Sequence, residues 1–195
     1  MYAHVRSPDR NLYTAMIPRI VLTGAPASGK TLVFERLRSD PDMAGIVFLE
    51  ELARKLLIES PAWRENWPAF HLEIYRRQIA REQAAGGQPF ITDRGTVDAF
   101  AFHPETVHDV HTTFEREHAR YTAVLQLGTS AALGDQYYVR DDIRNESIPD
   151  ALAVEKAITG VWKNHPGYNF LEANPNFDQK VDRAVAIVKF LAFQR

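Results

Sequence analysis

Apolar residues follow two alternating rhythms along this chain. Short unbroken runs occur at residues 18–23 (PRIVLT), 46–49 (IVFL), 89–93 (PFITD), 122–127 (TAVLQL) and 168–173 (YNFLEA). Between them lie longer stretches whose apolar positions recur every three or four residues. A continuous apolar run marks a strand covered on both faces, and three- or four-residue spacing marks a helix buried along one stripe. Helices are expected at about 31–38, 50–58, 68–85, 151–163 and 177–193. The first ends at Ser39-Asp40-Pro41-Asp42, because a proline and the residue before it resist helical geometry. Gly86-Gly87 closes the third, and Ser60-Pro61 and Trp67-Pro68 bracket a loop carrying Trp63. Alternating strands and helices predict an α/β fold in three layers, a parallel five-stranded sheet with helices on both faces. Residues 1–17 are polar, lack periodicity and are interrupted by Ser7-Pro8-Asp9, so they are expected to form a flexible N-terminal extension. Residues 18–195 then form a single domain, with no repeat or linker visible.

The first junction carries chemistry. Gly24-Ala25-Pro26-Ala27-Ser28-Gly29-Lys30-Thr31 reads G-x-x-x-x-G-K-[ST], the Walker A pattern, and it lies between the first expected strand and the first expected helix. Average residue usage makes the bare pattern a chance event in roughly one chain of this length in a hundred, and the strand–loop–helix context lowers that further. Glycines let main-chain N–H groups turn inward around a phosphate, and the helix N-terminus that follows, with Leu32 in its first turn, adds partial positive charge. Lys30 is expected on the outer phosphates of ATP, with GTP left open, and the Thr31 hydroxyl on a Mg²⁺ ion bridging them. The fold class becomes that of a P-loop NTPase.

Other strand ends face the same crevice in such a sheet. Residues 89–93 end in Asp93, a Walker B-like aspartate expected to hold Mg²⁺. It is followed by Arg94, Gly95 and Asp98 rather than by a water-activating glutamate, an arrangement that suits gripping a phosphate or substrate. The second strand runs into Glu50-Glu51, which act either as first-turn acids complementing a helix dipole or, for Glu51, as the group that takes the proton of an attacking hydroxyl. Arg140 and Arg144, four apart, fit a lid at about residues 134–150 that closes over a nucleotide, or else an exposed face balanced by Asp141, Asp142 and Glu146. Arg76, Arg77 and Arg81 read as a solvated helix face. His108 and His111 share a helical spacing, but nothing nearby completes a metal-ligand set.

Composition narrows the classes. With 195 residues, 45% hydrophobic and 25% charged, there is length for one sizeable core. A net charge of −2 gives no basic track, so nucleic acid is an unexpected partner and a polynucleotide 5′-hydroxyl kinase is disfavoured. Zero cysteines exclude disulfides and thiolate chemistry and fit a cytoplasmic location. No apolar run reaches spanning length, and no signal-peptide core stands at the N-terminus. The assembly state is left open, with a homodimer as the candidate.

These elements together resemble a known family. The loop, Glu51-Leu52-Ala53-Arg54, Thr92-Asp93-Arg94-Gly95-Thr96-Val97-Asp98, Asp142-Ile143-Arg144-Asn145-Glu146-Ser147 and Val181-Asp182-Arg183 look like the NadR-type AAA domain family, small P-loop proteins near the nucleoside and nucleotide kinases, over residues 19–195. Leu32 departs from the threonine many relatives repeat there. The resemblance implies a nucleoside/nucleotide kinase-like fold with ATP or GTP on the loop, Mg²⁺ near Thr31 and Asp93, and Glu51, Arg54, Arg94 and Asp98 toward a small-molecule phosphoryl acceptor. Lys30, Glu51, Asp93, Arg140 and Arg144 are then the catalytic set. Some members of that family are assigned nucleotide and phosphoinositide binding without a kinase activity, so a nucleotide-dependent switch with slow hydrolysis is the alternative. The absence of N-K-x-D argues against a Ras-like GTPase. The missing glutamate after Asp93 and the short chain argue against a ring-forming motor.

Overall fold

A computed structural model describes residues 16–138 and 146–194. Most of the expected N-terminal extension and both lid arginines, Arg140 and Arg144, lie outside the described residues. Five strands, β1 (Arg19–Gly24), β2 (Val47–Leu49), β3 (Phe90–Asp93), β4 (Ala123–Leu127) and β5 (Tyr168–Leu171), form one sheet in the order β2-β3-β1-β4-β5. Every pairing is parallel. The first strand is therefore central, and its residues Ile20, Val21 and Leu22 are completely buried. That is why residues 18–23 read as an unbroken apolar run, whereas β5, at the sheet edge, leaves Phe170 exposed.

Eight α-helices accompany the sheet among the described residues: α1 (Lys30–Arg38), α2 (Leu52–Glu59), α3 (Trp67–Ala84), α4 (Asp98–Phe102), α5 (Thr106–Asp109), α6 (Phe114–His118), α7 (Ile148–Trp162) and α8 (Phe177–Phe193). Strand alternation sends neighbouring side chains to opposite faces. Ile20 and Leu22 of β1 pack with Val33, Phe34 and Leu37 of α1 and with Val181, Ala184 and Val188 of α8. Val21 packs instead with Tyr75 of α3, Phe100 of α4 and Ile158 and Trp162 of α7. The expected three layers are realised.

Boundaries shift where caps overrule periodicity. The second helix begins at Leu52, leaving Glu51 at its cap position with no side-chain cap bond and its carboxylate available elsewhere. The seventh begins at Ile148, three residues earlier than the spacing indicates, because Ser147 and Asp150 form a reciprocal capping box around Pro149. Residues 98–118 hold three helices of four or five residues, too short to show a period. His111 lies past the end of α5 with φ 52°, so it does not share a helical face with His108.

Candidate active site

The β1–α1 loop has the backbone of an anion cradle. Gly24 leaves the strand with φ 149°, and a Cβ there would sit 2.4 Å from the Leu127 carbonyl oxygen. Gly29 caps α1 at φ 90°, with the Phe177 ring 3.0 Å from where a Cβ would be. Ala27 adopts φ 57° without being glycine, a strain of about 1 kcal/mol that surrounding bonds must hold. They do so from behind: Thr129 Oγ1 donates to Pro26 O at 2.6 Å and Ser130 N to Ala27 O at 3.3 Å. Lys180 Nζ donates to Ser28 O at 2.8 Å. With no side-chain cap and no acid in its first turn, α1 keeps its leading N–H groups for an anion. Lys30 Nζ donates to Gly24 O at 2.9 Å. Thr31 and Leu32 are exposed beside the loop.

Pairing of β1 with β3 sets Leu22 opposite Asp93, so the β3 end delivers its acid beside the loop. Asp93 is 6% exposed, and its Oδ1 is buried without a hydrogen-bond partner. Burial raises its pKa to about 6, Glu51 and Asp98 add to the rise, and Lys30 and Arg94 oppose it. The next residue, Arg94, turns back at φ 72°. Its guanidinium reaches Glu51 Oε1 at 3.5 Å, Asp98 Oδ1 at 3.3 Å and Gly24 O at 3.3 Å. Asp98 is fixed more firmly, accepting from Thr23 Oγ1 at 2.5 Å, Gly95 N at 2.8 Å and Trp162 Nε1 at 3.2 Å. Glu51 stays ionised: burial pushes its pKa up, but Arg94 and Lys30 outweigh that and hold it below the usual carboxylate value. Burial, then Arg94, lowers the pKa of Lys30, against the pull of Asp93 and Glu51.

Beyond Arg94 opens a cavity of about 580 Å³. Its wall is a pile of flat groups. The Arg94 guanidinium lies 5.1 Å from the Phe102 ring centre, Phe102 stacks on His71 at 5.6 Å, and His71 on Trp67 at 6.2 Å. Burial, with His103 and Arg94 adding, drives the His71 pKa down to about 4, so the His71 ring is neutral at pH 7. At the back, Gln78 Nε2 donates to Glu82 at 2.8 Å and to Thr92 Oγ1 at 2.9 Å, leaving its Oε1 as the amide atom without a partner among the described residues.

The crevice thus gathers Lys30, Glu51, Asp93, Arg94 and Asp98 from four separate elements. Arg54 lines an adjoining groove of about 460 Å³ that shares Glu51 and Asp93 with the crevice and also holds Thr31 and Glu35. Arg77 pairs with Glu73 at 2.7 Å and Arg81 donates to Glu50 O at 2.7 Å, so these two belong to the helix surface. The aromatic wall escapes a reading by sequence. Its signals are the spacing of Trp67, Phe70, His71, Ile74 and Gln78 along one face of α3, and of Arg94, Asp98 and Phe102 at four-residue intervals.

A glycine cradle at the end of a central strand, a buried acid on the adjacent strand and a pocket beside them define a P-loop fold of nucleoside-kinase-like architecture. The chain belongs to the AAA domain family, whose model matches residues 19–180. Among solved structures it is similar to deoxyadenosine kinase from M. mycoides with bound dATP, at 10% identity and a TM-score of 0.59 over 87% of this chain and 98% of that one. It is similar also to deoxyadenosine kinase from M. mycoides with the products dCMP and a flexible dCDP bound, at 10% identity and a TM-score of 0.58 over 87% and 97%. At that identity the likeness is one of fold. No curated protein sequence matches the chain.

Proposed function

We propose that the protein is a phosphotransferase that moves the γ-phosphoryl group of ATP to a hydroxyl of a small, flat, phosphate-free acceptor of the nucleoside class. The observation that carries this reading is the ion cluster at the boundary between the phosphate loop and the aromatic cavity. The donor phosphates lie on the loop under Lys30, and a cleft of about 280 Å³ beside Ala27, Tyr137, Pro175 and Phe177 takes the donor base. An orphaned, buried Asp93 Oδ1 next to an exposed Thr31 hydroxyl fits a Mg²⁺ ion and its water shell. When bound, that ion neutralises charge on the transferring phosphates.

The acceptor enters the aromatic cavity. Among the described residues Arg94 is the lone cation in its lining, against the carboxylates of Glu51, Asp93, Asp98 and Glu146. An acceptor already bearing phosphate is repelled there, whereas a phosphate-free ring packs against the aromatic wall. Arg94, held by Asp98, orients Glu51 toward the acceptor hydroxyl. That oxygen bonds to the γ-phosphorus as the bond to the β-phosphate oxygen breaks, and its proton passes to Glu51. Nucleoside diphosphate leaves from the loop.

The test is nucleoside diphosphate release from Mg·ATP and Mg·GTP with a panel of nucleosides, nucleoside monophosphates and nicotinamide riboside. Strong stimulation by a nucleoside-class compound and none by the monophosphates is expected. Nucleotide binding that no acceptor stimulates would transfer the case to the switch reading.

A further inference from the structure

One buried charge stands outside the transfer chemistry. Lys180 lies in the first turns of α8 and is 3% exposed. Its position is costly for a cation: it is removed from water, near the positive end of a helix, and across the loop from Lys30. Among the described residues no carboxylate comes within ion-pair distance of its Nζ. The favourable charge is Glu155 of α7, whose Oε2 is occupied by Thr129 N at 2.5 Å. Burial pulls the Lys180 pKa down to about 8, with Glu155 opposing and Lys30 adding to the fall.

The ammonium is satisfied instead by main-chain carbonyls. One belongs to Ser28 within the phosphate loop and the other to Gly128, just beyond β4. In a trans peptide the carbonyl and the next N–H point in opposite directions. Drawing the Ser28 carbonyl back toward α8 therefore turns the Gly29 N–H forward, into the cradle. With Thr129 on Pro26 and Ser130 on Ala27, every carbonyl from Pro26 to Ser28 has a donor behind it.

We propose that Lys180 is a positioning residue for the phosphate loop, fixing the Ser28–Gly29 peptide with its N–H toward the donor phosphates and adding a second positive charge from behind. The assignment rests on the loop being the donor site. It acts through the loop, without touching the nucleotide.

The test is the dissociation constant for Mg·ATP of wild type, Lys180→Met and Lys180→Gln, measured well below their unfolding transitions. Met removes charge and donors at similar length, and Gln keeps two N–H donors without charge. Binding is expected to weaken roughly 10- to 100-fold in the Met variant and by less in the Gln variant, the scale of a charge-assisted hydrogen bond. Wild-type affinity should also fall as pH rises through about 8, where the Lys180 charge is lost, and fall less in either variant. Glu155 and Lys30, the charges facing Lys180, titrate in all three proteins and so drop out of the difference. Wild type that fails to bind Mg·ATP would refute the donor-site reading itself. Wild-type-like binding by a folded Met variant that merely melts earlier makes Lys180 structural and overturns the inference alone. Should the Met variant not fold, a wild-type-like affinity of the Gln variant overturns it equally.

Discussion

Two clusters of buried charge sit at opposite ends of the parallel strands, and they are bonded to very different degrees. Near the starts of β1 and β3, Glu82 accepts from Arg120 Nη2 at 2.5 Å, Tyr121 Oη at 2.7 Å and Gln78 at 2.8 Å. Glu117 accepts from Tyr75 at 2.8 Å, Thr96 at 2.8 Å and Thr112 at 2.7 Å. In the crevice, by contrast, Arg94 reaches Glu51 only at 3.5 Å and Asp98 at 3.3 Å, and Asp93 Oδ1 has no partner. A protein interior rarely leaves a buried carboxylate short of bonds, because each missing one costs about 1–3 kcal/mol. The network that closes on itself holds the fold together. The cluster left incomplete is the one a phosphate and its ion complete.

Perturbing each cluster tests that division. Lys30→Ala removes the charge over the donor phosphates and is expected to reduce phosphoryl transfer by about 10³-fold or more while the fold survives. Steady-state rates and circular dichroism of that variant check both halves. Glu51→Gln should leave Mg·ATP affinity intact and lower transfer by roughly 10², the scale of a lost general base. An unchanged rate in a direct assay removes Glu51 from the mechanism. The smallest effect concerns His71. Its folded pKa, about 4, lies below the ordinary 6.5, so below pH 6.5 the unfolded chain takes up a proton that the native imidazole refuses. Stability is then lost as pH falls from 6.5 toward 4, on the order of 1 kcal/mol for this partly exposed ring. Denaturation curves of His71→Phe should lack that increment of acid sensitivity.

The two clusters also differed in how far sequence could reveal them. The phosphate loop and Asp93 are legible because each sits at the end of an apolar run, in consecutive residues whose spacing the chemistry dictates. All five strands and the 177–193 helix followed from periodicity for the same local reason. Helices of four or five residues, such as α4 and α5, contain too little sequence to show a period. Phe70 suits a core as well as a cavity wall, and only its place in the cavity lining beside His71 decides between them. Glu82 and Glu117 have the composition of a solvated surface. Their burial comes from partners 21 to 42 residues away in sequence, in Tyr75, Thr96 and Tyr121. Lys180 is hidden likewise, since the carbonyl it holds in the loop is 152 residues distant.

The central claim is that one cluster is structural and the other is finished by ligand. It is tested most directly by melting temperatures of wild type, Glu82→Gln and Asp93→Asn, each with and without Mg·ATP. Glu82→Gln leaves Arg120 short of its partner and should lose about 3 kcal/mol, a fall of roughly 6–12 °C, yet keep the full upward shift on adding Mg·ATP. Asp93→Asn removes a buried, unpartnered charge and should melt about 2–4 °C higher without nucleotide, yet lose most of the shift. A Glu82→Gln protein that melts normally, or an Asp93→Asn protein that melts early and still responds fully to Mg·ATP, would contradict the account.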